Sequence, residues 1–278
     1  MRKTRKRFVL FLIVVVIAIV CYARYIEPEL LIVREVTVKT TMDIKECKVV
    51  FFSDTHFGML YREEHVKKLV DRINELQADI VIFGGDLIDD YERDQQQLDM
   101  EYLQKEMVRI EAKEGKYAVF GNHDYGGGAF RIYEKFMTDC GFKVLVNESV
   151  VLEKYNIEVM GLDDYLFGQP NFSAYPKSDW FCLVAAHEPV VSKFVDGLEE
   201  SLVVTGHTHG GQVSIPYFTQ KQLPTGCDQF VKGFYTALDI GVQRSVQMYV
   251  SSGIGLTKYP LRFGNIPEII EINLKKEN

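Results

Sequence analysis

Five times along this chain a short apolar run stops directly at a polar motif, and this repeated junction limits the fold more than any other feature. The runs at 49–52, 80–83, 117–120, 181–186 and 202–204 lead into Asp54-Thr55-His56, Gly85-Asp86-Leu87-Ile88-Asp89, Gly121-Asn122-His123-Asp124, His187 and Gly206-His207-Thr208-His209. Unbroken apolar runs of this length suit strands buried on both faces. Open α/β sheets gather ligands at the carboxyl ends of their strands, so five polar motifs at five strand ends are expected to converge on one edge.

Between the runs, Val66, Leu69, Val70, Ile73 and Leu76 recur at helical spacing and predict a helix over 63–76; a looser pattern predicts a second over 94–112. Strand and helix alternating from 47 to 121 imply right-handed crossovers and a largely parallel sheet. Beyond residue 143 the pattern changes to short β-rich runs at 144–146, 150–152, 157–160, 213–215, 234–238, 246–250 and 269–272. The expected class is α/β, with two packed sheets and helices outside.

The N-terminus reads differently. Arg2, Lys3, Arg5, Lys6 and Arg7 precede an apolar run from 8 to 20 that continues weakly to 26. Crossing a bilayer takes about 20 apolar residues, which this run reaches only by including Arg24, a residue able to snorkel to the interface. A cleaved signal peptide is the competing reading, but Cys21-Tyr22-Ala23 is a poor small-residue cleavage site. The chain therefore divides into a basic segment and membrane anchor at 1–26 and one catalytic unit at 27–278. Basic residues before the span predict a cytoplasmic N-terminus and a single-pass protein of the cell membrane with its catalytic unit outside. Thr4-Arg5-Lys6-Arg7-Phe8-Val9 also weakly resembles a twin-arginine export signal.

The formal net charge is −7 although five basic residues crowd the N-terminus, so the remainder is distinctly acidic. With no basic stripe, nucleic acid is not an expected partner, whereas small or lipid-linked phosphates are. Five cysteines without disulfide-framework spacing suit a reducing compartment or buried thiols. Cys47, Cys140, Cys182 and Cys227 read as core residues, and a monomer is expected.

The motif residues share one chemistry. Asp54 and His56, two apart in an extended segment, can hold one cation from the same side. His207 and His209 can straddle two cations, Asp86 can bridge them, and Asn122 and His187 add neutral ligands to the second. Such a pair of ions holds a phosphoryl group and lowers the pKa of a bound water from about 15.7 toward 7. Mixed carboxylate, imidazole and amide donors accept Mn, Fe, Zn or Co.

The five motifs together resemble those of the calcineurin-like metallophosphoesterase superfamily, D-x-H, G-D-x-x-D, G-N-H-D, H and G-H-x-H, complete and in order. The resemblance implies a four-layer sandwich of two mixed β-sheets flanked by helices, and two divalent metal ions. It implies a first metal on Asp54, His56, Asp86 and His209 and a second on Asp86, Asn122, His187 and His207. His123 would be the non-ligand acid that protonates the leaving group, with Asp89 orienting it, and the nucleophile a hydroxide held between the ions. Gly206 to Gln212, Val231-Lys232-Gly233, Ser251 to Gly255 and the segment from Pro260 to Ile269 are similar to the membrane-targeted bacterial phosphodiesterases of the YaeI and YkuE type. A related branch cleaves the pyrophosphate of a lipid-linked nucleotide, which makes a lipid-linked diester or pyrophosphate the expected substrate and a monoester the alternative. A metal-binding interaction module on the same fold would be expected to lose ligands, and here every position is filled. Asp90 stands where phosphoprotein phosphatases carry a phosphate-clamping arginine, which favours a diester over a dianionic monoester.

Other residues carry weaker readings. Arg262 is a candidate phosphate contact or else a surface ion pair. Asp124 caps the following segment or joins the site. Tyr217, Phe218, Phe230 and Phe234 read as loop packing, with contact to an acyl chain or nucleobase as the functional alternative. His65 reads as a surface residue.

Overall fold

The computed structural model describes residues 2–173, 179–195, 200–243 and 245–277. Its strands are β1 (Ile32–Thr40), β2 (Cys47–Phe52), β3 (Ile80–Phe83), β4 (Gly115–Ala118), β5 (Lys143–Val144), β6 (Glu148–Leu152), β7 (Ile157–Gly161), β8 (Phe181–Ala185), β9 (Glu200–Thr205), β10 (Gly233–Tyr235), β11 (Ser245–Val250) and β12 (Glu268–Lys276). The helices are α1 (Arg2–Tyr25), α2 (Val66–Glu75), α3 (Tyr91–Asp94), α4 (Met100–Met107), α5 (Asn122–Gly126), α6 (Tyr133–Asp139), α7 (Thr219–Gln222) and α8 (Ala237–Ile240).

One six-stranded sheet runs β1-β12-β2-β3-β4-β5 and a second runs β10-β11-β9-β8-β7-β6. Both are mixed, yet β2, β3 and β4 are mutually parallel, as are β7, β8, β9 and β11. Every strand that carries a polar motif therefore points the same way as its motif-bearing neighbours. Three apolar clusters correspond to the three interfaces of a four-layer sandwich. Phe51, Ile80, Ile82, Leu183 and Val204 lie between the sheets. Val50, Val81, Leu69, Ile73 and Met137 join the first sheet to α2 and α6, while Val184, Val203, Val191 and Ile240 cover the second. Full burial of side chains such as Ile80 and Ile82 stabilises by about 1.5–3 kcal/mol each.

The helix expected over 94–112 is broken. α3 ends at Asp94, and α4 starts only after Asp99, whose carboxylate accepts from Tyr102 N as an N-cap. The expected strand at 213–215 is absent, reduced to a single bridge between Val213 and Phe263. The run at 234–238 divides into β10 and α8, because Thr236 and Asp239 form a capping box that starts a helical turn. β1 lacks a counterpart in the sequence reading: Arg34, Glu35 and Lys39 interrupt its apolar pattern, and its partner β12 lies far away in sequence.

α1 is long and apolar enough to cross a membrane by length and composition. Ala23, Glu27 and Pro28 are buried against the sandwich, so the end of α1 and the turn after it are packed parts of the same body. His65 bonds Glu29 at 3.0 Å from the surface of the body.

Candidate metal centre

The five motif loops meet at the carboxyl edge of the two sheets. The loop after β2 stays paired with the loop after β3: Asp54 N donates to Gly85 O at 2.9 Å and His56 N to Asp86 O at 3.1 Å. Side chains then tie loops of different strands together. His207 N donates to Asp54 Oδ1 at 2.8 Å and His123 N to Asp86 Oδ1 at 2.8 Å. Asp124, fully buried, accepts from Gly121 N, Asp86 N and Leu87 N. It is thus both a cap on α5 and a brace for the Asp86 loop.

The sequence reading places Asp54 and His56 in extended backbone, and the structure corrects this. Asp54, His56, Asp86, His207 and His209 all have positive φ, between 41° and 67°. Left-handed conformations cost a residue other than glycine on the order of 1–3 kcal/mol each, and here the parallel strands beneath and the cross-loop bonds hold them. Close approach explains two motif glycines: a Cβ at Gly121 would collide with the Asp86 carboxylate, and one at Gly206 with that of Asp54.

Two groups of ligand atoms converge: Asp54, His56 and His209 in one, Asp86, His187 and His207 in the other. Asp86 Oδ2 lies 3.3 Å from His56 Nε2 and 3.1 Å from His187 Nε2, so one carboxylate oxygen faces both groups. His56 Nε2 and His209 Nε2 are 2.9 Å apart, and His187 Nε2 and His207 Nδ1 are 3.2 Å apart. Ring nitrogens facing each other this closely repel unless a proton or a cation lies between them; two imidazoles on one ion with bonds of about 2.1 Å leave their nitrogens about 3.0–3.4 Å apart, from octahedral to tetrahedral angles. Asn122 Oδ1 is buried with no hydrogen-bond partner. An orphaned amide oxygen beside paired imidazoles and a shared carboxylate fits two divalent cations.

The remaining ring nitrogens fix which atom faces inward. His187 Nδ1 donates to Gly84 O at 2.7 Å and His207 Nε2 to Thr225 O at 2.7 Å. His56 Nδ1 donates to Asp89 Oδ1 at 3.1 Å. The carboxylate of Asp89 therefore serves His56, and it is the main-chain carbonyl of Asp89 that takes the Nδ1 proton of His123, at 2.5 Å. A third convergent set, His56, Asp89 and His123, is this same supporting contact.

Electrostatics follow from burial. Burial raises the Asp86 carboxyl, but His187 and His123 outweigh it and hold the group well below the usual carboxylate range. Burial and then the charge of Asp86 push Asp124 up to about 7. Burial lowers His56, against which hydrogen bonds to Asp86 and Asp89 lift it to about 10. Burial and His187 push His207 down to about 3.

Arg262 is not a substrate contact, and its reading as a surface ion pair fails too. Its side chain is fully buried, and its guanidinium donates to the carbonyls of Gly255, Ser252 and Asn265, with Nη2 3.3 Å from His209 Nδ1. Its work is to hold loops behind the first ligand group. Asn265 assists by donating to His209 O.

The cleft above the centre has a volume of about 1130 Å³. Its wall includes Arg93 and Thr257, which the sequence reading did not single out. Arg93 Nη2 pairs with Asp89 at 2.7 Å and also with Asp94, and Thr257 Oγ1 donates to Asp89 Oδ1 at 2.9 Å. The i,i+4 spacing of Asp89 and Arg93 was a local signal for their pairing; nothing local marks Thr257. Asp90 caps α3 by accepting from Arg93 N. Cys47, Cys140, Cys182 and Cys227 are buried free thiols.

Such a centre, at the edge of two packed sheets, is that of a metal-dependent phosphoesterase. The calcineurin-like phosphoesterase family model matches residues 47–211, and the chain belongs to that family. It is 33% identical over 269 residues to YkuE, an uncharacterized metallophosphoesterase of Bacillus subtilis strain 168, covering 92% of this chain and 90% of that one. An uncharacterized metallophosphoesterase of Campylobacter jejuni is 30% identical over 250 residues, 87% of this chain and 63% of its own length. A Danio rerio transmembrane protein with a metallophosphoesterase domain is 24% identical over 295 residues, 98% of this chain and 63% of its own length. Among solved structures, a dimetal phosphatase from Danio rerio aligns over 77% of this chain and 89% of its own at 12% identity, with a TM-score of 0.48.

Proposed function

We propose that the protein is a membrane-anchored phosphodiesterase that uses two divalent cations to hydrolyse a lipid-linked phosphodiester or pyrophosphate outside the cytoplasm. The observation that carries the two-cation reading is the orphaned Asn122 Oδ1 beside two imidazole pairs that share Asp86. Asp54, His56, Asp86 and His209 would hold the first ion, and Asp86, Asn122, His187 and His207 the second. Bound there, the ions would neutralise phosphoryl oxygens and acidify a water. His123, with Nδ1 fixed on the Asp89 carbonyl, presents Nε2 for proton delivery to the leaving oxygen.

Diester preference is supported by the charges of the cleft. Asp90 faces it, and Arg93 is already paired with Asp89 and Asp94, which disfavours a dianionic monoester. Arg93 and Lys258 stand on the side of a monoesterase, because both place a cation in the cleft wall that position 90 lacks. A lipid-linked substrate is supported by an apolar wall that includes Phe167, Val213, Leu223 and Leu261, and by α1. The packing of Ala23 against the body supports an uncleaved anchor.

The test uses the full chain in lipid nanodiscs, loaded with Mn and assayed on an aryl phosphodiester and the matching monoester. The expected result is diester turnover that exceeds monoester turnover and disappears in Asp86→Asn. Monoester preference would reverse the assignment, and two bound metals with no turnover of either would favour a binding role.

A further inference from the structure

We propose that the segment 213–218 is a second membrane contact, lying on the bilayer beside the end of α1 and holding the mouth of the cleft against lipid. The inference rests on the reading of α1 as a spanning helix. Ile215, Pro216, Tyr217 and Phe218 are four consecutive exposed residues without a charge. Tyr217 is 93% exposed and Phe218 61%. Single exposed apolar side chains are ordinary on a protein surface, whereas a contiguous group marks a contact. Tyr217 adopts a φ of 68°, left-handed backbone that an aromatic residue rarely takes, and its ring stands outside the cleft.

The position of the segment identifies its occupant. At the end of α1, Tyr22, Arg24 and Tyr25 form the aromatic and basic belt that marks headgroup depth. At that level Arg262 N donates to Ala23 O at 2.9 Å. The next residue, Phe263, bonds the segment in both directions: its N–H donates to Gln212 O at 3.1 Å, and its carbonyl accepts from Ser214 N at 2.7 Å. Backbones paired in this way lie about 5 Å apart, so two steps place Ser214 roughly 10 Å from the helix end. Ile215 therefore leaves the body beside the end of α1, within reach of the headgroup layer that a spanning α1 would set. Ile215 and Phe218 also line the cleft, which makes the exposed surface continuous with the apolar wall above the metal centre. The one charge within 213–222 is Lys221, exposed and of the sign that anionic headgroups attract.

The chain has one tryptophan, at position 180, so Trp180→Phe combined with Tyr217→Trp gives a single reporter in the full chain. Trp180→Phe combined with Val14→Trp gives the reference within α1. Both are reconstituted into vesicles of zwitterionic and anionic lipid, with bromine placed near the top or near the end of the acyl chains. A contact at the boundary of headgroup and acyl chain predicts about a twofold loss of emission from the loop reporter with shallow bromine and less with deep bromine. An unquenched loop reporter beside a quenched α1 reference would overturn the proposal and leave the anchor standing. If neither is quenched, both fall. Emission from the loop reporter that is blue-shifted but unquenched would overturn the lipid contact in favour of cover by protein, such as a second copy of the chain.

Discussion

The two ligand groups share Asp86, yet their imidazoles are supported in different ways. In the second group, His187 and His207 both lean on main-chain carbonyls, those of Gly84 and Thr225. In the first group the Asp89 carboxylate holds His56, while His209 Nδ1 faces the Arg262 guanidinium, a donor that offers the ring no acceptor. Carbonyl supports fix ring orientation whatever the side chain above them, so the fold itself sets the second site. The first site depends on charged groups, one of which, Asp89, also pairs with Arg93 on the cleft wall. The contrast separates a site set by topology from a site that sequence can tune.

The largest expected effect ignores the contrast. Asp86→Asn removes the carboxylate that both groups face, so both ions should be lost and turnover should fall on the order of 10³-fold, about 4 kcal/mol of barrier. Metal content and kcat measured together test this, and unimpaired turnover would end the two-cation reading. His123→Ala should keep both ions while turnover falls about 10²- to 10⁴-fold; loss of a metal in that variant would make His123 a ligand. Asp89→Asn addresses the contrast directly. Replacing the carboxylate that supports a metal-binding histidine typically lowers affinity about 10- to 100-fold, so this variant should weaken one of two ions in a calorimetric titration. Equal weakening of both would erase the distinction.

Protons give a further comparison. Burial lowers His56 and His187, and carboxylates raise both above their ordinary value, Asp86 and Asp89 for the first and Asp86 for the second. His207 is pushed down to about 3 by burial and His187, and His209 is lowered by burial, His56 and Arg262. Without metal, one imidazole of each group is therefore protonated to imidazolium at neutral pH. A group whose pKa lies above the working pH must give up its proton when a cation takes its place, so affinity rises with pH, by about tenfold per unit for each ion. Titrations between about pH 6.5 and about pH 8.5 would show this slope, and a flat response would mean that the protons are absent. The smallest effect is expected of Thr225→Ala, since only the carbonyl of Thr225 touches His207. Metal affinity should stay within about twofold, and a larger loss would show that the second site also depends on side chains.

What the sequence showed and what it hid follow the same division. Asp54, Asp86, Asn122, His187, His207 and His209 were legible because each lies at the end of an apolar run, and parallel pairing of those runs brings them together without further information. The supports were not legible, because they come from distant segments. Thr257 reaches Asp89 across 168 positions, and Asn265 reaches His209 across 56. Arg262 misleads because a cation near a phosphate site suggests a ligand contact, while its actual surroundings, carbonyls turned inward by loops at 252, 255 and 265, are visible only in three dimensions. The segment 213–215 reads as a strand because β-branched residues suit strands, although no extended partner is available beyond Phe263.

In the first sheet β12, the last of the described strands, lies between β1 and β2, the first two, pairing parallel with one and antiparallel with the other. While the ribosome is still extending the chain, β1 has nothing to lie against, and β2 keeps one edge bare until residues 268–276 emerge. The first sheet can close only after that late segment has been synthesised, so a nascent chain must wait with an unpaired edge. Any factor that shields that edge during synthesis would raise the yield of folded protein.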